Sequence, residues 1–141
     1  MRHILIAALS GFFALSTPAF AQTDADMNKR LDETEGEHKP FAEFFAKLQK
    51  AVAADDKAAV AAMVNYPLLS HSNAGSVQIK DAKHFLADYD KLITAKVKAA
   101  VAKQTYATLF TNWQGVMIGD GEIWFDQVGD SLKVKVYAIN N

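Results

Sequence analysis

The chain predicts an α+β domain in which N-terminal helices pack on a curved antiparallel sheet, cone-like in shape, that ends in a three-stranded meander. Two observations carry this reading. Apolar residues recur at helical spacing in several stretches between Phe41 and Val101, and from Leu109 onward the period changes to two. Two Gly-Asp pairs, Gly119-Asp120 and Gly129-Asp130, then separate the apolar segments at hairpin spacing. A third observation bounds the domain: residues 1–38 follow neither pattern.

Residues 1–21 carry a basic start at Arg2, an apolar run over 4–15, a helix breaker at Pro18, and small residues at Ala19 and Ala21. That order predicts a secretory signal peptide cleaved between Ala21 and Gln22. The run is shorter than the ~20 apolar residues of a bilayer span, and Ser10 and Gly11 interrupt it. An exported protein, periplasmic or secreted, with no membrane span after cleavage is expected. Residues 22–38 are polar and read as a flexible leader, although Met27 and Leu31 could share one face of a short helix. Residues 39–141 form the single folded domain.

Arg2 is the only charged residue in the signal, so the remaining 120 residues hold 14 basic against 16 acidic side chains. That balance gives no basic excess for nucleic acid. The chain has no cysteine. An exported domain of this size must then be held by its core alone, without disulfides, thiol nucleophiles or cysteine-ligated metal.

The elements follow in order. Pro40 suits a first helical position. Phe41, Phe44, Phe45, Leu48 and Val52 lie on one stripe of that helix. Asp55 or Asp56 caps a second helix with Ala59, Val60, Met63 and Val64 inward, and Pro67 stops it. Residues 68–71 and 77–79 read as short strands around Ser72-Asn73-Ala74-Gly75. Asp81 caps a third helix with the stripe Phe85, Leu86, Tyr89, Leu92 and Ile93, and Thr94 starts a fourth with Val97, Ala100 and Val101 inward.

If both Gly-Asp turns are two residues long, counting sets the register of the meander. Val116 then faces Ile123, Ile123 faces Val136, and Phe125 faces Val134, all beneath the helices. The opposite face carries Trp113, Gly115, Met117, Glu122, Trp124, Asp126, Lys133, Lys135 and Tyr137. There Asp126 would pair with Lys133, Trp124 with Lys135, and Gly115 would lie opposite Trp124.

Phe44-Phe45, Leu48, Ala51-Val52 and Asp55-Asp56-Lys57 are followed by Tyr66-Pro67-Leu68, Ile79-Lys80-Asp81, Phe85, Tyr89-Asp90 and the stretch GVMIGDGEIWF at 115–125. In these residues and their order the chain resembles the nuclear-transport-factor-2-like, or cystatin-like, α+β cone superfamily, and within it small exported bacterial members. The resemblance spans Phe41 to Asn140 and lies in the fold rather than in a catalytic motif. It implies helices against a curved sheet. The superfamily holds ketosteroid isomerases, epoxide hydrolases and polyketide cyclases beside members that only bind, so fold does not carry function. Its enzymes place His, Asp or Tyr inside the cone. The matching candidates here are His71, Tyr66, Asp88, Tyr89 and Asp90.

The residues themselves favour plainer roles for these groups. His71 ends a strand beside a turn, Tyr89 fits a helix stripe, and Asp88 and Asp90 flank it toward solvent. His3, His38, His71 and His84 show no metal-ligand spacing, and no nucleophile elbow, phosphate loop or dinucleotide fingerprint occurs. No cofactor or metal is expected. Trp113, Met117, Trp124, Lys135 and Tyr137 mix aromatic side chains with charge on one sheet face, as a partner surface does. The expectation is a non-catalytic exported module binding a protein or small molecule there, with a homodimer through the sheet as one arrangement. The alternative is a small cone-cavity enzyme of the isomerase, cyclase or hydrolase kind using His71 or Asp90.

Overall fold

A computed structural model describes residues 20–141. The segment 1–21 expected to be a signal peptide therefore lies outside the described residues, apart from Phe20 and Ala21. Among the described residues the fold is α+β, with six α-helices and a six-stranded sheet of order β2-β1-β6-β5-β4-β3.

The first helix is a correction to the sequence reading. Residues 22–38 were expected to form a flexible leader, yet α1 spans Asp24–Thr34. Thr23 and Asp26 close its N-terminus with a reciprocal capping box. Its two large apolar residues, Met27 and Leu31, are fully buried. Side chains then tie it to the segment 106–111. The Tyr106 hydroxyl donates to Asn28 Oδ1 at 2.7 Å, and the Thr111 hydroxyl donates to Glu35 Oε1 at 3.0 Å. A stripe of two apolar residues is too short for periodicity to register, but tertiary burial is enough to hold it.

Helix α2 (Lys39–Ala53) buries the expected stripe of Phe41, Phe44, Phe45, Leu48 and Val52, and Ala51 with it. The rings of Phe44 and Phe41 pack on Phe125 of the sheet at 5.1 and 6.3 Å. Burying a side chain of this kind contributes about 1.5–3 kcal/mol. Asp56 caps α3 (Lys57–Ala62) through the Ala59 N–H.

That helix ends before Val64, earlier than Pro67 required. Val64 instead opens strand β1 (Val64–Ser72), which turns through Asn73-Ala74 into β2 (Gly75–Ile79). Pro67 sits inside β1, where the register against β6 shifts between Val64 and Leu69 and where β2 has not yet begun to pair. A residue without an N–H is tolerated at such an interruption.

The third expected helix is two, α4 (Ala82–Ala87) and α5 (Tyr89–Leu92), broken at Asp88. Phe85, Tyr89, Leu92 and Ile93 are buried, while Leu86 is exposed. Helix α6 (Ala95–Lys103) starts at a Thr94 cap and buries Val97 and Val101. Gln49 of α2 donates to the carbonyls of Val101 and Gln104 at 2.9 Å, filling acceptors that the end of α6 leaves open.

After a single 3-10 turn at Tyr106–Thr108 come β3 (Phe110–Asn112), β4 (Gly115–Ile118), β5 (Ile123–Gln127) and β6 (Val134–Asn140). The sheet is mixed rather than antiparallel throughout, because β6 pairs in parallel with β1. One long strand was expected from Leu109 to Ile118. A tight turn divides it at Trp113-Gln114, where Asn112 Oδ1 accepts the Gln114 N–H and Gly115 takes a φ of 113°.

The expected register is displaced. Val116 pairs with Phe125, Ile118 with Ile123, Phe125 with Val136 and Gln127 with Val134. Both Gly-Asp loops are longer than two residues, spanning 119–122 and 128–133. The partners of Val116, Phe125 and Asp126 therefore move by two positions, while the bulge in β6 moves those of Ile123 and Trp124 by three, to Ile139 and Ala138. An even displacement keeps a side chain on its face and the bulge absorbs the odd residue, so Val116, Ile123, Phe125, Val134 and Val136 are all buried. The paired residues do change. Asp126 lies opposite Lys135 rather than Lys133, and Trp124 lies opposite Met117 and Ala138 rather than Gly115 and Lys135. Tyr137 is an extra residue in β6 between the partners of Phe125 and Trp124, which keeps Ala138 opposite Trp124 on the outer face while Ile139 joins the core.

Candidate functional site

The sheet face away from α2 carries the five residues singled out for binding, though not as one row. Phe110, Met117 and Trp124 are cross-strand neighbours on β3, β4 and β5, and the Phe110 and Trp124 rings meet edge to face at 6.5 Å. Trp113 is on the β3–β4 turn and 87% exposed. Together with Lys135, Tyr137, Asp126 and Asn65 it lines a shallow depression of about 390 Å³. The Tyr137 hydroxyl donates to the Gln114 carbonyl at 2.7 Å, which fixes the turn beneath Trp113. Burial, aided by the Asp126 carboxylate, raises the Tyr137 pKa.

Lys135 does not stack on Trp124. Its ammonium donates to the Ala62 carbonyl at the end of α3, where a cation is favoured. The cation–π contacts among the described residues are elsewhere: the ammonium groups of Lys57 and Lys98 lie 5.1 and 5.9 Å from the centre of the Tyr89 ring.

The acid–base candidates separate into two places. Lys57 joins two of them, since its ammonium bonds Asp90 at 3.1 Å while it covers Tyr89. Tyr66 and Tyr89 both pack edge-on against Phe85. Burial first, with nearby aspartates second, pushes each phenol up to about 12. The Tyr66 hydroxyl donates to the Ala61 carbonyl, and Asp88 accepts from Lys91 at 2.8 Å. His71 stands apart on β1. Its Nδ1 meets the Ser76 hydroxyl, whereas His38 and His84 each face an aspartate, Asp32 and Asp81. Among the described residues, no group of three or more His, Asp or Glu side chains is placed to hold a metal ion.

Sequence reasoning missed a second feature. Glu122 was assigned to the outer sheet face by alternation, but it belongs to the β4–β5 loop and its side chain is 8% exposed. Its Oε2 accepts the Asp120 N–H at 2.7 Å, and its Oε1 lies 3.7 Å from the Lys96 ammonium. Gly119 makes room: with a φ of 64°, a Cβ there would stand 2.2 Å from Glu122 Oε2. The carboxylate lines a cleft of about 420 Å³ between α6 and the loop. The glycines at 119 and 121, which a two-residue turn does not both require, were the available signal.

None of the described helices is long and apolar enough to cross a membrane. Comparison with family models, with curated proteins and with solved structures found no match to this chain.

Proposed function

We infer that the chain is an exported, non-catalytic binding module of the nuclear-transport-factor-2-like kind, which takes a protein partner on the outer face of its sheet. One observation carries the reading. The inner face is closed by Phe41 and Phe44 against Phe125, while the outer face presents Trp113, Phe110 at 46% exposure, and the partly exposed Met117, Trp124 and Tyr137. Aromatic groups and methionine at the surface are the usual anchors of protein interfaces. His71 and Asp90, which the enzymatic alternative would use, face Ser76 and Lys57.

The order of helices, hairpin and antiparallel strands supports the family, and the curved cone and C-terminal meander are part of the same proposal. Export rests on the segment 1–21. Helix α1 and its Thr23 cap begin just beyond the proposed cut, so cleavage after Ala21 would leave the capped helix intact.

A second copy of the chain is the first partner to test. Sedimentation velocity over a wide concentration range should show reversible self-association. Trp113→Ala together with Trp124→Ala should weaken it at least about tenfold, the loss of an anchor worth ~2 kcal/mol. A monomer at every concentration would overturn the dimer, and self-association indifferent to both tryptophans would overturn the face.

A further inference from the structure

We propose that the cleft between α6 and the β4–β5 loop binds a small zwitterion of the amino-acid or dipeptide class, its ammonium on Glu122 and its carboxylate toward Lys103. A buried carboxylate is costly unless its charge is answered. Glu122 is answered only in part. Oε2 has the Asp120 N–H, but Oε1 has a single ammonium at 3.7 Å, beyond hydrogen-bond length, on a Lys96 side chain that is 66% exposed. Such a pair is weak. An acceptor with open lone pairs therefore forms part of the cleft wall.

The wall is pre-set rather than pliable. Gln104 Oε1 accepts the Gly119 N–H at 2.8 Å, and the Gln104 amide donates to Thr105 O and Thr108 Oγ1 at 3.0 Å. The Gly119 backbone packs where only hydrogen fits against the carboxylate.

Charge selects the ligand class. A simple cation drawn to Glu122 meets Lys96 and Lys103, and a simple anion drawn to the lysines meets Glu122 and Asp120. A molecule with both charges satisfies both. Lys96 and Lys103 are two helical turns apart, about 10 Å along α6, with the small Ala99 and Ala100 between them. That spacing, shortened by the reach of a lysine, fits the distance between the ends of a short peptide.

The test is an NMR titration of the 15N-labelled protein with glycylglycine. Saturable shifts are expected at the Gly119 and Asp120 amides. N-acetylglycylglycine and glycylglycinamide, each with one charge removed, should bind at least about tenfold more weakly, the loss of one charge-assisted hydrogen bond. Glu122→Gln keeps an acceptor for the Asp120 N–H and should lose a similar factor for glycylglycine. The proposal is overturned if glycylglycine gives no saturable shift at these amides, if either blocked peptide binds as tightly, or if a folded Glu122→Gln protein binds it undiminished. The blocked peptides decide the matter on the native chain should that variant not fold. The sheet face plays no part in these outcomes.

Discussion

Gly119 is the residue on which the β4–β5 loop turns. Its positive φ disfavours any side chain, and a Cβ would collide with a carboxylate oxygen that is itself held by Asp120. Gly36, also at positive φ, has open space around it. Gly119→Ala should therefore lower stability by about 2 kcal/mol or more, and Gly36→Ala by only ~1 kcal/mol. Urea denaturation of the two variants makes the comparison; equal losses would show that the carboxylate contact does not matter.

Glu35 gives a second prediction at this scale. Burial raises its pKa and the nearby Asp126 carboxylate adds to that, against the Thr111 hydrogen bond. A carboxyl whose folded pKa is raised contributes stability that is full below the unfolded value of about 4.3 and is lost as pH rises through the folded value. Glu35→Gln removes that loss. Its urea midpoint relative to the parent should rise between pH 4 and pH 7, and a gap independent of pH would count against this account.

At the scale of elements, α1 distinguishes a docked helix from a mobile leader. Met27 and Leu31 are fully buried, and Tyr106, Thr111 and the Ala107 carbonyl each bond to a residue of the α1 segment. A chain beginning at Lys39 should be several kcal/mol less stable, since Leu31→Ala alone should cost about 2–5 kcal/mol. Thr23→Ala should cost ~1 kcal/mol through its cap. If the shortened chain unfolds at the same denaturant concentration, α1 adds nothing to the fold. The two Gly-Asp loops show the complementary case. Their extra residues moved the pairings of β4, β5 and β6 yet kept Val116, Ile123, Phe125, Val134 and Val136 inward, because the displacement was even except where the bulge absorbs an odd residue.

For the whole molecule, the proposed export and the observed fold meet at the N-terminus. Phe20 is exposed, and the first helix cap is Thr23. Mass spectrometry of the protein recovered from the exporting cell should find Gln22 as the first residue; a protein retaining Met1 would remove the argument for the compartment. The molecule then has two separate surfaces, an aromatic sheet face and a charged cleft on α6, and substitution at one should leave binding at the other unaltered.

The sequence by itself determined the stripe of α2, the N-caps at Asp81 and Thr94, and the inward set from Val116 to Val136, and it narrowed the cap of α3 to Asp55 or Asp56. Those depend on period and on local hydrogen bonds, which neighbouring residues specify. Tertiary structure decided the rest. Helix α1 forms because the rest of the fold offers a place for two side chains. The parallel pairing of β6 with β1 joins residues some seventy positions apart. The tight turn at Trp113 and the bulge at Tyr137 moved two of the expected binding residues off a regular strand. Glu122 was assigned to the wrong face because alternation holds only while a strand continues, and here a four-residue loop folds the carboxylate back against α6 instead.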